Sequence, residues 1–270
     1  MKRQWYATPY ALWMLMFTIV PLVFVVYYAF TGSNGTFTLA NFEKIATPAY
    51  IPVLLTSLKL AFFCTVICLL IGYPTAYFLA SKDFSENKML VVLILLPMWM
   101  NFLLRTYAMM TILENNGLIN TLLEKLGMGK VQFIGTEGAV LLGMVYNFLP
   151  FMVLPIYTAL KKLEVGVIEA AEDLGANPLR VITRVVVPQS IPGVISGITM
   201  VFMPAVTTFA ITRLLSNGMI YLMGDMIEEY FITVNNRNVG SSMSLVMLVL
   251  ILVTTLLLRC LNPGQKGESA

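Results

Sequence analysis

Three groups of residues have types and spacings that suit chemistry. Asp225, Glu228 and Glu229 stand at i, i+3 and i+4, which puts three carboxylates on one helical face. Such a face attracts cations or contacts a partner, and a merely solvated face has the same pattern. Trp99 and Tyr107 flank Asn101 in an otherwise apolar run, and Tyr146 lies in a later one. Aromatic faces hold ammonium groups, a contact worth about 2 kcal/mol or more when desolvated, and helix packing uses the same rings equally well. Glu169, Ala170, Ala171, Asp173, Leu174 and Gly175 combine acids with small residues, a set suited to docking rather than reaction.

Catalysis has little to work with. The chain contains no histidine, which removes the commonest general base and metal ligand. Cys64, Cys68 and Cys260 fit no metal or disulfide framework, and the first two lie in an apolar run where a thiol packs as a small hydrophobe. A net charge of +3 reports loop placement rather than a nucleic-acid partner.

The elements that must position these residues are set by lipid. Of 270 residues, 58% are hydrophobic and 11% charged, far from a soluble domain. A mean hydropathy of +0.82 across the whole chain requires several spanning segments. The reading is an all-α, polytopic membrane protein, one transmembrane domain over 1–270. Its six spans are placed at about 8–30, 57–80, 89–113, 138–160, 191–213 and 241–260. The first is too long for a signal peptide and lacks a small-residue cleavage site, so it is expected to be retained.

Charge sets the orientation. Lys2, Arg3, Lys82, Lys88, Lys161, Lys162, Arg180, Arg184, Arg259 and Lys266 fall on one side of the six spans. Lys44, Lys59, Lys125, Lys130, Arg213 and Arg237 are spread over longer loops on the other. Positive residues accumulate on the cytoplasmic side, so both termini are expected there. Arg105 falls inside a span, where a charge costs about 2.5–3.5 kcal/mol, and is expected to cap carbonyls or pair with an acid. Lys59 can snorkel to the outer interface. Pro21, Pro74, Pro97, Pro150, Pro155, Pro192 and Pro204 predict kinked helices, and Gly193 and Gly197 form a G-x-x-x-G pair that permits close helix approach.

The cytoplasmic loop between the fourth and fifth spans is the most specific stretch. Val167, Ile168, Ala171 and Leu174 gather on one face of a short helix, with Glu169, Glu172 and Asp173 opposite. Gly175 ends it. Asn177 followed by Pro178 predicts an N-cap and a second short helix running to Pro188. An interfacial helix on lipid would carry Lys or Arg on its polar face, whereas this one is acidic, which favours docking on a protein.

These residues resemble a family signature. Glu169-Ala170-Ala171, then Gly175-Ala176, then Val185-x-Val187-Pro188 are similar to the EAA loop of ABC importer permeases, with valines at two distal positions and the acid displaced to Asp173. Pro97-x-Trp99-x-Asn101-x-x-x-Arg105-x-Tyr107 and Tyr146-x-x-Leu149-Pro150-Phe151-Met152 narrow the resemblance to the B-type permeases of spermidine/putrescine importers. That resemblance implies the type I importer permease fold in a bacterial cytoplasmic membrane, with two short cytoplasmic coupling helices. It implies a C-type permease as heterodimer partner, two cytosolic ATPase subunits and an extracytoplasmic polyamine-binding protein. Glu169, Ala170, Ala171, Asp173, Leu174 and Gly175 would dock the ATPase.

The chain has no G-x-x-x-x-G-K-S/T phosphate loop, so ATP and magnesium would be used by that partner and no cofactor by this chain. Trp99, Asn101, Tyr107 and Tyr146 are the candidate substrate-pathway residues, and Asp225, Glu228 and Glu229 the external acidic face. The loop does not separate polyamines from thiamine, iron, sulfate or phosphonate, which related importers carry. A membrane enzyme or receptor would need a nucleophile–base pair or a sensory domain, and neither is found.

Overall fold

In hydrocarbon every backbone polar group must be satisfied within its own segment, so long apolar runs become helices. The computed structural model of the chain describes residues 8–32, 34–48, 50–81, 88–163 and 165–260. Among them the structure is helical apart from turns and an isolated bridge between Thr31 and Phe37. Five helices are long and apolar enough to cross a bilayer: Pro9–Ala29 (α1), and, after the short Ala40–Ile45 (α2), Ile51–Ala80 (α3), then the three later ones defined below. Lys2, Arg3, Lys82 and Lys266, used above to orient the chain, lie outside the described residues.

The run expected as a single third span is broken. Lys88–Trp99 (α4) ends at Met100, and Phe102–Leu113 (α5) starts after Asn101; with the short Leu118–Lys125 (α6) the second part is bent 98° from the first. Pro97 cannot donate a backbone hydrogen bond, and Asn101 leaves the helical region at φ −56°, ψ 129°. Its side chain instead accepts from the Leu103 and Leu104 N–H groups at 2.9 and 3.2 Å. Counted as one span, the bent pair brings the total to six.

Glu137–Lys161 (α7) then crosses, followed by the short Val165–Asp173 (α8) and Pro178–Thr207 (α9). The helix that carries most of the expected fifth span, 191–213, begins at Pro178 and stops at Thr207, and the helix that carries the second, 57–80, begins at Ile51. Ala210–Leu215 (α10) and Met223–Ile232 (α11) fold back before Arg237–Cys260 (α12).

Helices α3, α7 and α9 form the packed centre, burying Cys64, Cys68, Met144, Met152, Ile156 and Val201. Small residues allow this, because lipid offers no hydrophobic drive and association rests on close packing. A Cβ on Gly193 would stand 2.6 Å from Ala159 Cβ and 2.8 Å from Pro155 O, and one on Gly197 2.7 Å from Met152 Sδ. The G-x-x-x-G pair thus seats α9 against α7. Helix α1 lies outside, against α12. Asn41 of α2 holds the end of α1 by donating to Ala29 O and Thr31 O at 3.1 and 3.0 Å, and Asn238 of α12 ties the pair together by donating to Thr31 O as well.

Because α7 and α9 cross in opposite directions, α8 lies at one end of the bundle and α10–α11 at the other.

Candidate functional site

The elbow at the first end is built by local rules. Gly175 has φ +80°, its N–H donates to Glu172 O at 2.8 Å, and the Ala176 N–H donates to Ala171 O at 3.1 Å. This pair of bonds is the Schellman closure that a glycine in the left-handed region permits. Asn177 Oδ1 then accepts from the Arg180 N–H at 2.9 Å, with Pro178 in the first turn, as the sequence predicts.

The helix does not end at Pro188. Residues Ile182–Val186 form a π-turn in which the Val187 N–H reaches Ile182 O, and α9 continues. Proline lacks an N–H and its ring presses on the carbonyl four residues back, here that of Arg184; the wider turn makes room. Leu15–Ile19 does the same two residues before Pro21.

The expected apolar face of α8 is divided. Ile168 and Ala171 pack inward, while Val167 is exposed and Leu174 is 89% exposed. Helix α8 crosses the tip of the bundle over a cavity of about 250 Å³ lined by Tyr77, Ala80, Leu160, Ile168, Glu169 and Glu172, so one strip of it meets the chain. Ala170, Asp173, Leu174 and Gly175 face outward, Glu169 is exposed at the rim of that cavity, and Ala171 is half-buried.

Around the bend in the third span the four pathway candidates separate into roles. Trp99 is 80% exposed at the end of α4, Tyr107 is 52% exposed on α5, and Asn101 is the cap between them. Tyr146 is on α7 and is engaged by Arg105, whose guanidinium carbon lies 5.8 Å from its ring centre. Arg105 is buried and donates to Pro97 O at 2.8 Å, which fulfils the carbonyl-capping alternative. Next to it Thr106 and Asn147, both fully buried, meet at 3.4 Å between Asn147 Nδ2 and Thr106 Oγ1. Neither was picked out from the sequence, where a lone Asn or Thr in an apolar run carries no mark.

At the opposite end the three acids share α11 but do not form an open face. Asp225 is buried; its carboxylate accepts from the Leu222 N–H at 2.9 Å and from Thr212 Oγ1 at 2.8 Å. Burial pushes its pKa up to about 6, against the lowering effect of those two bonds. Thr212 Oγ1 also lies 2.7 Å from Phe209 O, and one hydroxyl proton cannot serve both acceptors. Below its pKa a protonated Asp225 can donate to Thr212 and leave the threonine proton for Phe209 O. Glu228 pairs with Arg213 at 2.7 Å, and Glu229 accepts from the Tyr221 hydroxyl. Burial and Glu229 raise the Tyr221 pKa to about 12, so the hydroxyl remains a donor.

The three acids, Tyr221 and Arg213 line a cavity of about 320 Å³. Arg213 stands 15 residues before its partner Glu228, a separation that no helical periodicity marks, and Tyr221 stands eight before Glu229. Lys59, expected to snorkel, pairs with Glu137 at 2.6 Å at this end.

Comparisons with known proteins agree with this architecture. Residues 2–267 match the family described as "Binding-protein-dependent transport system inner membrane component". The chain is 35% identical to the spermidine/putrescine transport system permease protein PotB of Haemophilus influenzae, over 88% of this chain and 86% of that protein. It is 33% identical to the protein of the same name from Escherichia coli K12, over 88% and 89%. It is 27% identical to the inner membrane ABC transporter permease protein YdcU of that organism, over 79% and 72%. Among solved structures, the fold is similar to a chain of a bacterial ABC transporter involved in the import of the acidic polysaccharide alginate. That match has a TM-score of 0.79, 18% identity, and coverage of 96% of each chain. A complex of bacterial alginate ABC transporter with its alginate pentasaccharide-bound periplasmic protein gives 0.77.

Proposed function

The chain belongs to the family of binding-protein-dependent transport system inner membrane components, and on that premise we propose that it forms half of the pathway of an ABC importer for polyamines such as spermidine and putrescine. The observation that carries the substrate class is the identity of 35% over 88% of the chain to a spermidine/putrescine permease. The site chemistry supports it: exposed Trp99 and Tyr107 offer ring faces, and the cavity of Glu228, Glu229 and Asp225 offers carboxylates. Arg213 offsets one of these charges, leaving the cavity net acidic above the pKa of Asp225.

The remaining parts of the reading follow the same premise. The elbow of α8 docks a separate ATPase through Glu169, Ala170, Ala171, Asp173, Leu174 and Gly175, its outward apolar and small residues filling a groove on that partner. A C-type permease completes the pathway, a second ATPase subunit completes the motor, and an extracytoplasmic binding protein delivers substrate to the end that carries α10 and α11. Both termini lie with the elbow on the cytoplasmic side of the bacterial inner membrane, and hydrolysis of ATP belongs to the ATPase subunits.

The test is ATP hydrolysis by the assembled transporter in vesicles. Its binding protein loaded with spermidine or putrescine is expected to stimulate hydrolysis, and the same assay with thiamine or sulfate is not. Equal stimulation by all four solutes overturns the polyamine assignment.

A further inference from the structure

The angle between α4 and α5 is held by very little packing. Met89, Leu93, Leu96 and Trp99 of α4 are exposed, and α4 packs chiefly against α7. Two polar tethers cross the bend instead. Asn101 caps α5, and Arg105 reaches back from the first turns of α5 to Pro97 O, a carbonyl at the end of α4, where a cation is favourably placed. Arg105 also leans on Tyr146 of α7, so a single guanidinium touches three helices.

A charge buried in a span is expensive and is kept where it holds something in place. Arg105 is 4% exposed, yet its Nε has no acceptor among the described residues. The bond to Pro97 O is thus the one hydrogen bond the guanidinium makes among the described residues, so if α4 changes angle that bond breaks while the contact with the Tyr146 ring on α7 remains.

We infer that Arg105 is a positioning residue for transport: it clamps the end of α4 to α5 and to Tyr146, and so sets where Trp99 stands in the pathway. This rests on the pathway role proposed for Trp99, and on this reading Arg105 does not touch the substrate. Its cationic head would repel one; burial under Tyr146 keeps the charge aside.

The test uses the complete transporter in vesicles, with Cys64, Cys68 and Cys260 replaced and Met100→Cys as a reporter at the bend. Arg105→Met is expected to change the rate at which a maleimide labels that cysteine by roughly fivefold, and Arg105→Lys, which keeps a cation and a donor, by less. Spermidine uptake gives the second readout. Trp99→Ala and Arg105→Met are each expected to raise KM roughly tenfold and the double variant by no more than either alone, because the second change acts through the first. An unchanged labelling rate, or KM effects that multiply, overturns the inference. If labelling shifts but Trp99→Ala leaves KM unchanged, the pathway role of Trp99 fails and the clamp itself stands. Should Arg105→Met fail to assemble, Tyr146→Leu withdraws the ring beneath the guanidinium and is expected to shift the labelling in the same direction.

Discussion

At one end of the bundle the chain reverses through α8, whose Ala170, Asp173 and Leu174 face outward and whose turn is closed by bonds between near neighbours. At the other end it reverses through α10 and α11, whose acids are bonded to groups elsewhere: Thr212, Arg213 and Tyr221. Ser57 on α3 joins them by accepting from the Met223 N–H at 2.8 Å. The first end leaves much of its chemistry exposed, and the second spends much of its chemistry on itself. Two glycines show the contrast. Gly175 needs its left-handed φ of +80° and has nothing within 4 Å of a would-be Cβ. Gly224 needs room, since a Cβ there would lie 2.4 Å from Thr207 O and 2.5 Å from Thr208 O.

Substituting these glycines separates the two ends. Gly175→Leu puts a large side chain on the outward elbow and strains its turn by about 1–2 kcal/mol. It is expected to cut ATP hydrolysis coupled to transport by roughly 30-fold or more, the size of a lost interface hot spot, while the chain still inserts and resists heat. Gly175→Asn, which tolerates the left-handed region, is expected to keep more of the activity. Full coupled hydrolysis in Gly175→Leu breaks the docking role of the elbow. Gly224→Ala is expected to act on stability instead, lowering it by about 1–3 kcal/mol through overpacking against backbone. Thermal unfolding of the purified subunit pair measures this, and an unchanged midpoint shows that α11 is not seated where the contacts place it.

The same contrast explains what could be read in advance. Gly175, Asn177 and Pro178 act within a few residues of themselves, so their spacing announces the cap, the turn and the restart. The spans follow from apolar length, and Gly193 with Gly197 from a spacing of four. The bend at Asn101 was hidden, because Trp99, Asn101 and Arg105 in an apolar run fit a straight helix as well as a broken one. The continuation of α9 past Pro188 was hidden too, since a π-turn has no sequence mark of its own. The partners of the three acids were hidden for a different reason. Their i, i+3, i+4 spacing is real, but Thr212 lies 13 residues from Asp225 and Arg213 15 from Glu228, and only the fold of α10 on α11 brings them together.

Asp225 offers a way to sharpen the difference by pH. Its pKa is raised from 3.8 to about 6, so between about pH 4 and 6 the folded protein holds a proton that the unfolded chain has released. The stability it contributes is complete below about pH 4, falls as pH rises toward 6 and is flat above, a change of at most about 3 kcal/mol. Asp225→Asn is expected to flatten that slope. Its amide can donate to Thr212 and accept from the Leu222 N–H, reproducing the neutral carboxyl. Melting midpoints between pH 4 and 7.5 decide: an equal slope in the variant places the linked proton elsewhere.

The smallest effect belongs to Arg213, whose side chain is 69% exposed although it sits 2.7 Å from Glu228. An exposed pair of this kind contributes less than about 1 kcal/mol, so Arg213→Gln should hardly move the melting midpoint. Its value is electrostatic: removing this cation leaves the cavity with Glu228 unopposed and Glu229 beside it. Under the proposed polyamine function, substrate capture at low salt is expected to quicken by up to about threefold, and the gain to vanish as salt shortens the Debye length to about 8 Å. A gain that survives high salt would mean that Arg213 restrains the site by contact rather than by its field, and a slower capture would mean that the pair with Glu228 shapes the cavity. Comparing spermidine with the shorter putrescine tells these apart, because a field acts more strongly on the ligand with more charges while a change of shape need not.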